Sequence, residues 1–307
     1  MRHSVFPDGD FRIDPLLVFV AMPFASEFNA LYEAVENLLV EHCHLRCLRA
    51  DAISRSGSIT AEIWQHVNEA MCVIADLSGR NANVFYEVGL AHALGKPVIL
   101  LSRDISDVPF DLRHLKIVQY DYGTGIKAIR SQLLSAIRSC FVTLPQRWDQ
   151  SRRVDEQNPL VRISGLQQPE TAAADQPVEI IIRARTESNL AKEGYLSVSF
   201  PAGVEDHDIA IMKTDIDSKI GRVKEPWCSG RVILEYPIAE ILAVPWEAHK
   251  EHFMKVQFKS RRRGWLHYYV SASSSSETGN WTYDPGPGVP HIDQRGERVL
   301  CGIIDLM

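Results

Sequence analysis

The feature that most constrains the fold is an alternation of short apolar runs with amphipathic segments between residues 16 and 141. The runs are LLVFVAM, LRCLRA, MCVIAD, PVILLS and LKIVQYD, and the segments are FNALYEAVENLLVEH, ITAEIWQHVNEA, NVFYEVGLAHALG and GIKAIRSQLLSAIRSCF. Continuous β-branched runs separated by amphipathic helices are typical of parallel strands covered on both faces. We therefore predict an α/β fold with a flavodoxin-like, doubly wound, parallel five-stranded sheet and four helices.

The pattern changes after this region. The stretches PQRWDQSRRVDEQNPL and SGLQQPETAAADQP are polar, contain proline and have no period, which favours a linker over residues 145–176. From Pro177 onward, apolar and polar residues alternate in several short runs, with Gly and Pro between them. This predicts an antiparallel β-sandwich of immunoglobulin-like type over residues 177–307, with loop from Tyr283. The α/β domain is assigned to residues 16–144 and an N-terminal extension to residues 1–15.

The composition argues against several classes of function. Of the 307 residues, 23% are charged and 45% hydrophobic, which is ordinary for a globular protein. The formal net charge of −6 argues against nucleic acid as a partner, because neutralising phosphates requires a basic surface. No apolar run reaches the roughly 20 residues of a spanning helix, and the N-terminus lacks the apolar core of a signal peptide. We expect a cytoplasmic protein without membrane association.

The cysteines fit a reducing compartment. Most of the six stand alone along the chain, as free thiols commonly do there. In HCHLRC, the side chains of His42, Cys43, His44 and Cys47 could surround zinc. No second ligand pair at finger spacing follows, so a structural role is favoured. We expect no metal and no bound cofactor.

Glu87 is the acid that needs an explanation, because NVFYEVGLAHALG is otherwise largely apolar and predicts a buried helix. With Asn83 as the N-cap, Glu87 lies in the first turn or just beyond, where the helix dipole favours the ionised carboxylate. Apolar surroundings act the other way, since desolvation raises a carboxyl pKa. The helical face with Val84, Ala91 and Leu94 would more usually hold an apolar residue. Dipole complementation and a catalytic task both remain open.

Other candidates follow the predicted strand ends, where open parallel sheets bind ligands. Asp51 follows the second strand and Asp76 the third, and we expect both to converge with Glu87. Asp76 has a structural alternative as an Asx turn into the loop LSGR. The remaining loop candidates are Met22, Pro23 and Phe24 after the first strand and Phe110 and Asp111, which could form a pocket wall, in VPFDL.

Three polar residues near helix starts also have two interpretations. Asn81 and Asn83 can be turn or cap residues, and Ser58 can cap the helix that follows RSGS. At a helix N-terminus, Ser58 could instead contact an anionic or hydroxyl-rich ligand.

A phosphorylated substrate would need positive groups near the pocket, and the candidates close to strand ends are Arg49, Arg55, Arg80 and Arg103.

Three motifs together resemble the nucleoside 2-deoxyribosyltransferase-like superfamily over about residues 16–140. They are VFVAMPF, ADLSGRNANVFYEVGLAHALGKPVILL and VPFDLRHLKIVQYD. The resemblance implies that Glu87 is a nucleophile, which attacks the anomeric carbon of a nucleoside and forms a glycosyl-enzyme ester. Transferases of this family pass the sugar to another base, and hydrolytic relatives pass it to water.

The resemblance also assigns places to neighbouring residues. Asp76 matches a strand-end residue near the base or sugar, and the loop of Met22, Pro23 and Phe24 matches one that packs against the ligand. Tyr86 would orient the nucleophile or line the pocket, although a buried tyrosine bonded to backbone would look the same.

The sequence departs from the family in one chemically important respect. The enzymes usually carry an aspartate shortly before the nucleophile, where this chain has Asn81 and Asn83. An amide cannot act as general acid or base, which argues against base exchange more than against sugar–base cleavage. A comparable glutamate occurs in Toll/interleukin-receptor-type domains, distantly similar proteins that cleave NAD. The alternatives are therefore nucleoside or nucleotide cleavage, NAD hydrolysis, and a non-catalytic nucleotide-binding signalling module.

The predicted sandwich carries no catalytic constellation. KSRRRG at 259–264 reads as a hairpin turn, and Trp265 and Tyr269 alternate as core residues should. We expect this domain to recognise a protein partner or ligand, and we expect a homo-oligomer. The arrangement resembles, by analogy alone, bacterial effectors that deplete nucleotides in antiviral defence.

Overall fold

A computed structural model describes the chain in separate ranges. They are residues 6, 11, 13–50, 59–121, 126–151, 161–186, 195–200, 209–214, 222–224, 232–237, 251–273 and 299–307. The chain divides into two compact units, Met1–Phe141 and Val142–Met307. None of the helices in these ranges combines the length and the apolar character that crossing a bilayer requires.

The first unit is built on a parallel sheet with the order β2-β1-β3-β4-β5. The strands are β1 (Asp14–Ala21), β2 (Arg46–Arg49), β3 (Ala70–Asp76), β4 (Val98–Ser102) and β5 (Ile117–Gln119). The helices are α1 (Asn29–Asn37), α2 (Ile59–Glu69), α3 (Ala82–Ala93) and α4 (Ile126–Ser151). A π-helical turn, Leu38–His42, follows α1 directly. The predicted five-stranded parallel sheet with helices is confirmed, and its strand order is that of a flavodoxin-like sheet.

Alternation along the strands sorts side chains onto two faces of this sheet. Val73 and Ala75 on β3 belong to a core that also holds buried residues of α2 and α3. Because successive strand residues point to opposite faces, Ile74 and Asp76 project to the other face. Right-handed crossovers place α1 on that second face. All seven residues of β3 are buried, as expected for a strand covered on both sides.

The described residues of the second unit form two sheets. Their strands are β6 (Val161–Gln167), β7 (Thr171–Ala172), β8 (Pro177–Thr186), β9 (Tyr195–Phe200), β10 (Ile209–Thr214), β11 (Arg222–Lys224), β12 (Val232–Pro237), β13 (Glu251–Ser260), β14 (Gly264–Ser273) and β15 (Val299–Leu306). One sheet has the order β10-β13-β8-β6 and the other β11-β12-β9-β14-β15-β7. All pairs are antiparallel except β15 with β7.

The two sheets of this unit contact each other through their inner side chains. The ring of Phe258 on β13 lies 6.1 Å from the ring of Tyr268 on β14, in an edge-to-face arrangement. The pairing of the strands confirms the predicted antiparallel character of the C-terminal region. The immunoglobulin-like type of sandwich remains a prediction.

The structure differs from the predicted boundaries around the linker. Within residues 145–176 it places the last residues of α4, all of β6 and all of β7. Among the described strands, both lie at the end of their sheets, a position in which polar sequences are tolerated. The first unit also ends at Phe141, three residues before the predicted boundary. The predicted loop that starts at Tyr283 lies outside the described residues.

A glycine on β15 makes room for a buried tyrosine on β14. Gly302 pairs with Tyr268 across the two strands. A Cβ atom at position 302 would lie 2.2 Å from Cζ of that ring, closer than real contacts allow. The Tyr268 hydroxyl donates to Oε1 of Gln168, whose Nε2 donates to the Ile303 carbonyl at 3.0 Å. The ring is thus held in place and cannot easily move away.

We predict that Gly302→Ala destabilises the second unit by about 2 to 3 kcal/mol, because overpacking forces the ring or the strand to shift. Hydrogen exchange of β14 and β15 peptides, followed by mass spectrometry, would show faster exchange in the variant. Gly89→Ala is the matched control, since a Cβ there meets nothing within 4 Å. Equal protection of β14 and β15 in both variants would contradict the prediction.

Candidate functional site

Glu87 lies in the second turn of α3, further into the helix than the sequence predicts. The Oδ1 atom of Asn81 accepts hydrogen bonds from the backbone N–H groups of Asn83 (2.9 Å) and Val84 (3.4 Å). Asn81 has an extended backbone and is the N-cap, so the prediction of Asn83 as the cap is wrong. Both residues are asparagines, so residue type alone does not show which of them is the cap. The backbone conformation decides between them. The helix dipole therefore stabilises the Glu87 anion less than predicted.

The sheet-facing side of α3 carries Glu87 into the protein interior. Its side chain is only 5% exposed, and Val84, Val88 and Ala91 beside it are buried. Of the predicted face, Val84, Glu87 and Ala91 are buried, and Leu94 is partly buried against the same core. The expectation of a helix buried all round is wrong, because the other side of α3 faces solvent.

Tyr86 lies on the solvent-facing side of α3. It is 48% exposed, and Asn83 and Gly89 on the same side are exposed as well. The structure therefore does not bring Tyr86 together with the buried Glu87 carboxyl group. Consecutive residues of a helix are rotated by about 100° around its axis, so neighbours such as Tyr86 and Glu87 point in different directions.

The Glu87 carboxyl group is desolvated and has no polar partner in the described part of the chain. No hydrogen bond or ion pair to it occurs there, and burial alone raises its pKa to about 7. The group therefore exists in both protonation states near neutral pH. Carboxyl groups perturbed in this way are frequent in catalytic sites.

Asp76 is buried as deeply as Glu87 but is fully engaged in hydrogen bonds. Its Oδ1 accepts from Ser78 N at 3.0 Å and Ser78 Oγ at 2.6 Å, and its Oδ2 accepts from the Tyr120 hydroxyl at 2.5 Å. The bond to Ser78 N is the Asx turn that the sequence offered as the structural alternative. Burial raises the pKa of Asp76, and the bonds from Ser78 and Tyr120 oppose that rise.

Asp76 points away from the sheet face that α3, the helix with Glu87, covers. Ala75 belongs to the core that α3 covers, so the next residue on β3 points away from α3. Neither acid affects the pKa of the other, and their predicted convergence on one ligand stays a prediction.

Ser78, Tyr120 and Arg103 lie around Asp76 at the carboxyl end of the sheet. The sequence analysis did not identify Ser78 or Tyr120 as candidates, and it named Arg103 only as one of four arginines that could bind a phosphate. Ser78 Oγ accepts the backbone N–H of Arg103 at 2.8 Å, which ties the loop after β3 to the end of β4. Gly79 N donates to Asp107 Oδ2 at 2.8 Å, and the Arg80 guanidinium lies 3.4 Å from the same carboxylate. These bonds fix the loop that leads into α3.

The loop after β1 contributes both buried and exposed side chains. Met22 and Pro23 are buried, whereas Phe24 is 53% exposed. The Arg49 guanidinium carbon lies 5.7 Å from the centre of the Phe24 ring and 4.1 Å from that of Tyr32. An aromatic ring and a cation thus lie together at the carboxyl ends of β1 and β2.

The remaining predicted residues do not join Glu87 in the described structure. Phe110 is 85% exposed and Asp111 is exposed, so neither forms a wall over buried groups there. A single 3₁₀ turn, Phe110–Leu112, carries both. Asp51, Arg55 and Ser58 lie outside the described residues.

The described ranges contain no group of three or more His, Cys, Asp or Glu side chains arranged to hold a metal. Neither Cys43 nor Cys47 of the HCHLRC motif forms a disulfide bond in the described part of the chain. Burial raises the pKa of Cys47 to about 12, so this sulfur stays protonated at neutral pH and is a poor metal ligand.

Comparisons with known proteins add little. No family model matches the sequence, and no curated protein matches it. Similar solved structures include AvmM, which catalyses macrocyclization in alchivemycin A biosynthesis, at 14% identity and a TM-score of 0.30, covering 48% of this chain and 88% of that one. A cohesin module of a Clostridium perfringens family 33 glycoside hydrolase is 8% identical with a TM-score of 0.29, covering 48% and 98%. At these values the similarities carry no argument about fold or function.

We predict that Glu87→Gln stabilises the protein, with an effect that depends on pH. The folded state raises this carboxyl pKa from 4.5 to about 7, so ionising Glu87 costs about 3 kcal/mol of stability. In the wild type this loss develops as pH rises from 4.5 through 7 and is complete at pH 8. The variant, which cannot ionise, should match the wild type near pH 4 and be about 3 kcal/mol more stable at pH 8.

Urea unfolding of both proteins across this pH range measures the difference directly. Contributions from Asp76 and other acids are shared by the two proteins and cancel in the comparison. Stability curves that run parallel from pH 4 to pH 8 would show that Glu87 is not desolvated.

Proposed function

We propose that the first unit cleaves the N-glycosidic bond of a nucleoside or nucleotide with Glu87 as the nucleophile. The observation that carries the proposal is a carboxyl group that is 5% exposed and has no polar partner among the described residues. Acids are almost never buried in this way unless they have a partner or a task. Its desolvation reduces stability as the pH rises above about 4.5, and functional sites commonly retain such costs.

The chemistry follows from the properties of this carboxylate. The ionised Glu87 attacks the anomeric carbon, the bond from that carbon to the base nitrogen breaks, and its electron pair leaves with the base. The base takes up a proton from solvent, and the sugar stays bound to Glu87 as an ester. Water then attacks the anomeric carbon, the bond from that carbon to the Glu87 oxygen breaks and regenerates the carboxylate, and the proton of the water returns to solvent. An anion held among apolar groups has few solvating waters to lose before it attacks.

The surroundings of Glu87 favour water over a second base as the acceptor. Asn81 and Asn83 bear amides, which can neither donate nor accept a proton in catalysis. Asp76 is engaged with Ser78 and Tyr120 and points away from the sheet face that α3 covers. The proposal therefore assigns no proton transfer to any of these three groups. Hydrolysis needs no enzyme group to activate an incoming base, so it is the form of the reaction we propose.

Two other functions share parts of this site and are separated by their products. An NAD hydrolase would use the same carboxylate and release nicotinamide. A binding module would retain a nucleotide without forming any product.

We predict that purified wild-type protein releases a free base, detected by mass spectrometry, from a pool of nucleosides, nucleotides and NAD. Glu87→Gln should lower the rate by roughly 10³-fold or more, as expected for loss of a nucleophile. The wild-type rate should increase with pH through about 7, because only the ionised carboxylate attacks.

Glu69→Gln is the matched control. Glu69 is also a helical glutamate, but it ends α2 just before β3, at the opposite end of the sheet. It should retain wild-type activity. Equal product from the wild type and Glu87→Gln would remove Glu87 from the proposed role. Nicotinamide as the only product would replace nucleotide cleavage by NAD hydrolysis.

A further inference from the structure

A short segment after β4, residues 104–108, contacts the loop that leads into α3. We call this segment the strap. Its 3₁₀ turn, Ile105–Asp107, is capped by Asp104, whose Oδ1 accepts the Ser106 N–H at 2.8 Å and whose carbonyl accepts the Asp107 N–H at 3.0 Å. These local bonds hold the backbone of Asp107 in one conformation.

The Asp107 carboxylate contacts two consecutive residues of the loop after β3. Its Oδ2 accepts the backbone N–H of Gly79 at 2.8 Å, and its Oδ1 lies 3.4 Å from Nε of Arg80. The same guanidinium donates through Nη2 to the carbonyl of Ser106. Asp107 thus binds the loop both through a backbone group and through a charged side chain.

The loop needs such contacts because part of its backbone is in an unfavourable conformation. Gly79 and Arg80 both have positive φ, at 73° and 54°. Glycine adopts this left-handed region freely, but the Cβ atom of arginine makes it unfavourable. Residues in such a conformation persist only where surrounding contacts hold them. For Arg80, these contacts are those to Asp107 and Ser106, together with the bond from its own N–H to the Leu77 carbonyl at 3.2 Å.

The loop sets the place where α3 begins. Asn81, the N-cap, directly follows Arg80, and its carbonyl accepts the Phe85 N–H at 3.2 Å as the first bond of the helix. Each N–H of a helix bonds to the carbonyl four residues earlier, so a displaced first turn carries the second turn with it. Glu87 lies in that second turn. The position of its side chain therefore depends on the loop that Asp107 holds.

The strap also contributes to the core that α3 covers. Val108 is 1% exposed and belongs to the same core cluster as Val84 and Val88, the buried neighbours of Glu87 on the helix. Burial is the only cause of the raised pKa of Glu87, so the charge of Asp107 does not act on it directly. Any influence of Asp107 on Glu87 is therefore exerted through position and burial.

We infer that Asp107 is a positioning residue for Glu87, because its carboxylate holds the loop that sets the start of α3. It does not touch the reacting atoms and acts only through Gly79 and Arg80. Without the carboxylate the loop relaxes, and α3 shifts enough to admit water to the Glu87 carboxyl group. The consequence for base release rests on the proposed function, whereas the consequence for the burial of Glu87 does not.

The test compares the full-length wild type with Asp107→Ala and Asp107→Asn. In a ¹³C NMR titration, the Glu87 midpoint should be lower by about one unit or more in Asp107→Ala, because hydration favours the ionised carboxylate. Asparagine still accepts the Gly79 N–H but lacks the charge that pairs with Arg80, so the midpoint of Asp107→Asn should lie between the other two. At pH 8, base release by Asp107→Ala should be roughly 10-fold slower or more, since small displacements of a reacting group have large effects on rate.

Ile105→Ala is the matched control within the strap. The Ile105 side chain is 48% exposed, and its truncation leaves the bonds of Asp107 in place. The Glu87 midpoint and the rate of this variant should equal those of the wild type. Circular dichroism establishes folding in each case. If Asp107→Ala does not fold, Asp107→Asn replaces it, and its midpoint should still be measurably below that of the wild type.

The outcomes separate this inference from the proposed function. An unchanged Glu87 midpoint in the folded Asp107 variants would overturn the inference even if the wild type releases free base, because Asp107 would then be merely structural. Equally lowered midpoints in Asp107→Ala and Asp107→Asn would overturn it too, since they would assign the effect to charge. A graded fall of the midpoint without any Glu87-dependent product would support the inference and overturn the proposed reaction.

Discussion

The burial of β3 on both faces is the constraint from which the rest of the first unit follows. A strand covered by helices on each side must have every polar group satisfied within the protein. Its one acidic side chain, Asp76, meets this demand through Ser78 and Tyr120. These bonds join the carboxyl ends of β3 and β5, and Ser78 extends the connection to the end of β4. The loop into α3 is thereby fixed, and with it the position of Glu87.

Two acids in one short region thus have different environments and different roles. Asp76 accepts three hydrogen bonds and acts as part of the scaffold. Glu87 accepts none within the described chain, and its pKa is raised by desolvation alone. Separating the environments of two carboxyl groups is a common way to keep one of them reactive.

The sequence predicts a feature of the structure well when the residues that determine the feature are close together in the chain. Periodicity alone predicted the five parallel strands and the buried face of Val84, Glu87 and Ala91. Asn81 and Asn83 have the same capping chemistry, and the choice between them follows from how the loop after β3 is held. The pairing of Asp76 with Tyr120 joins residues far apart in the chain, which no local pattern indicates. Strands β6 and β7 were missed because, among the described strands, they lie at the ends of their sheets, where polar sequences are tolerated.

The central claim is that the fold buries and desolvates the Glu87 carboxyl group, which has no polar partner among the described residues. The most direct test is a ¹³C NMR titration of side-chain carboxyl groups in labelled protein, with the Glu87 resonance assigned by its absence from Glu87→Gln. The account predicts a titration midpoint of about 7 for this resonance. A midpoint near 4.5, the ordinary value for glutamate, would contradict it, because the carboxyl group would then be solvated or paired.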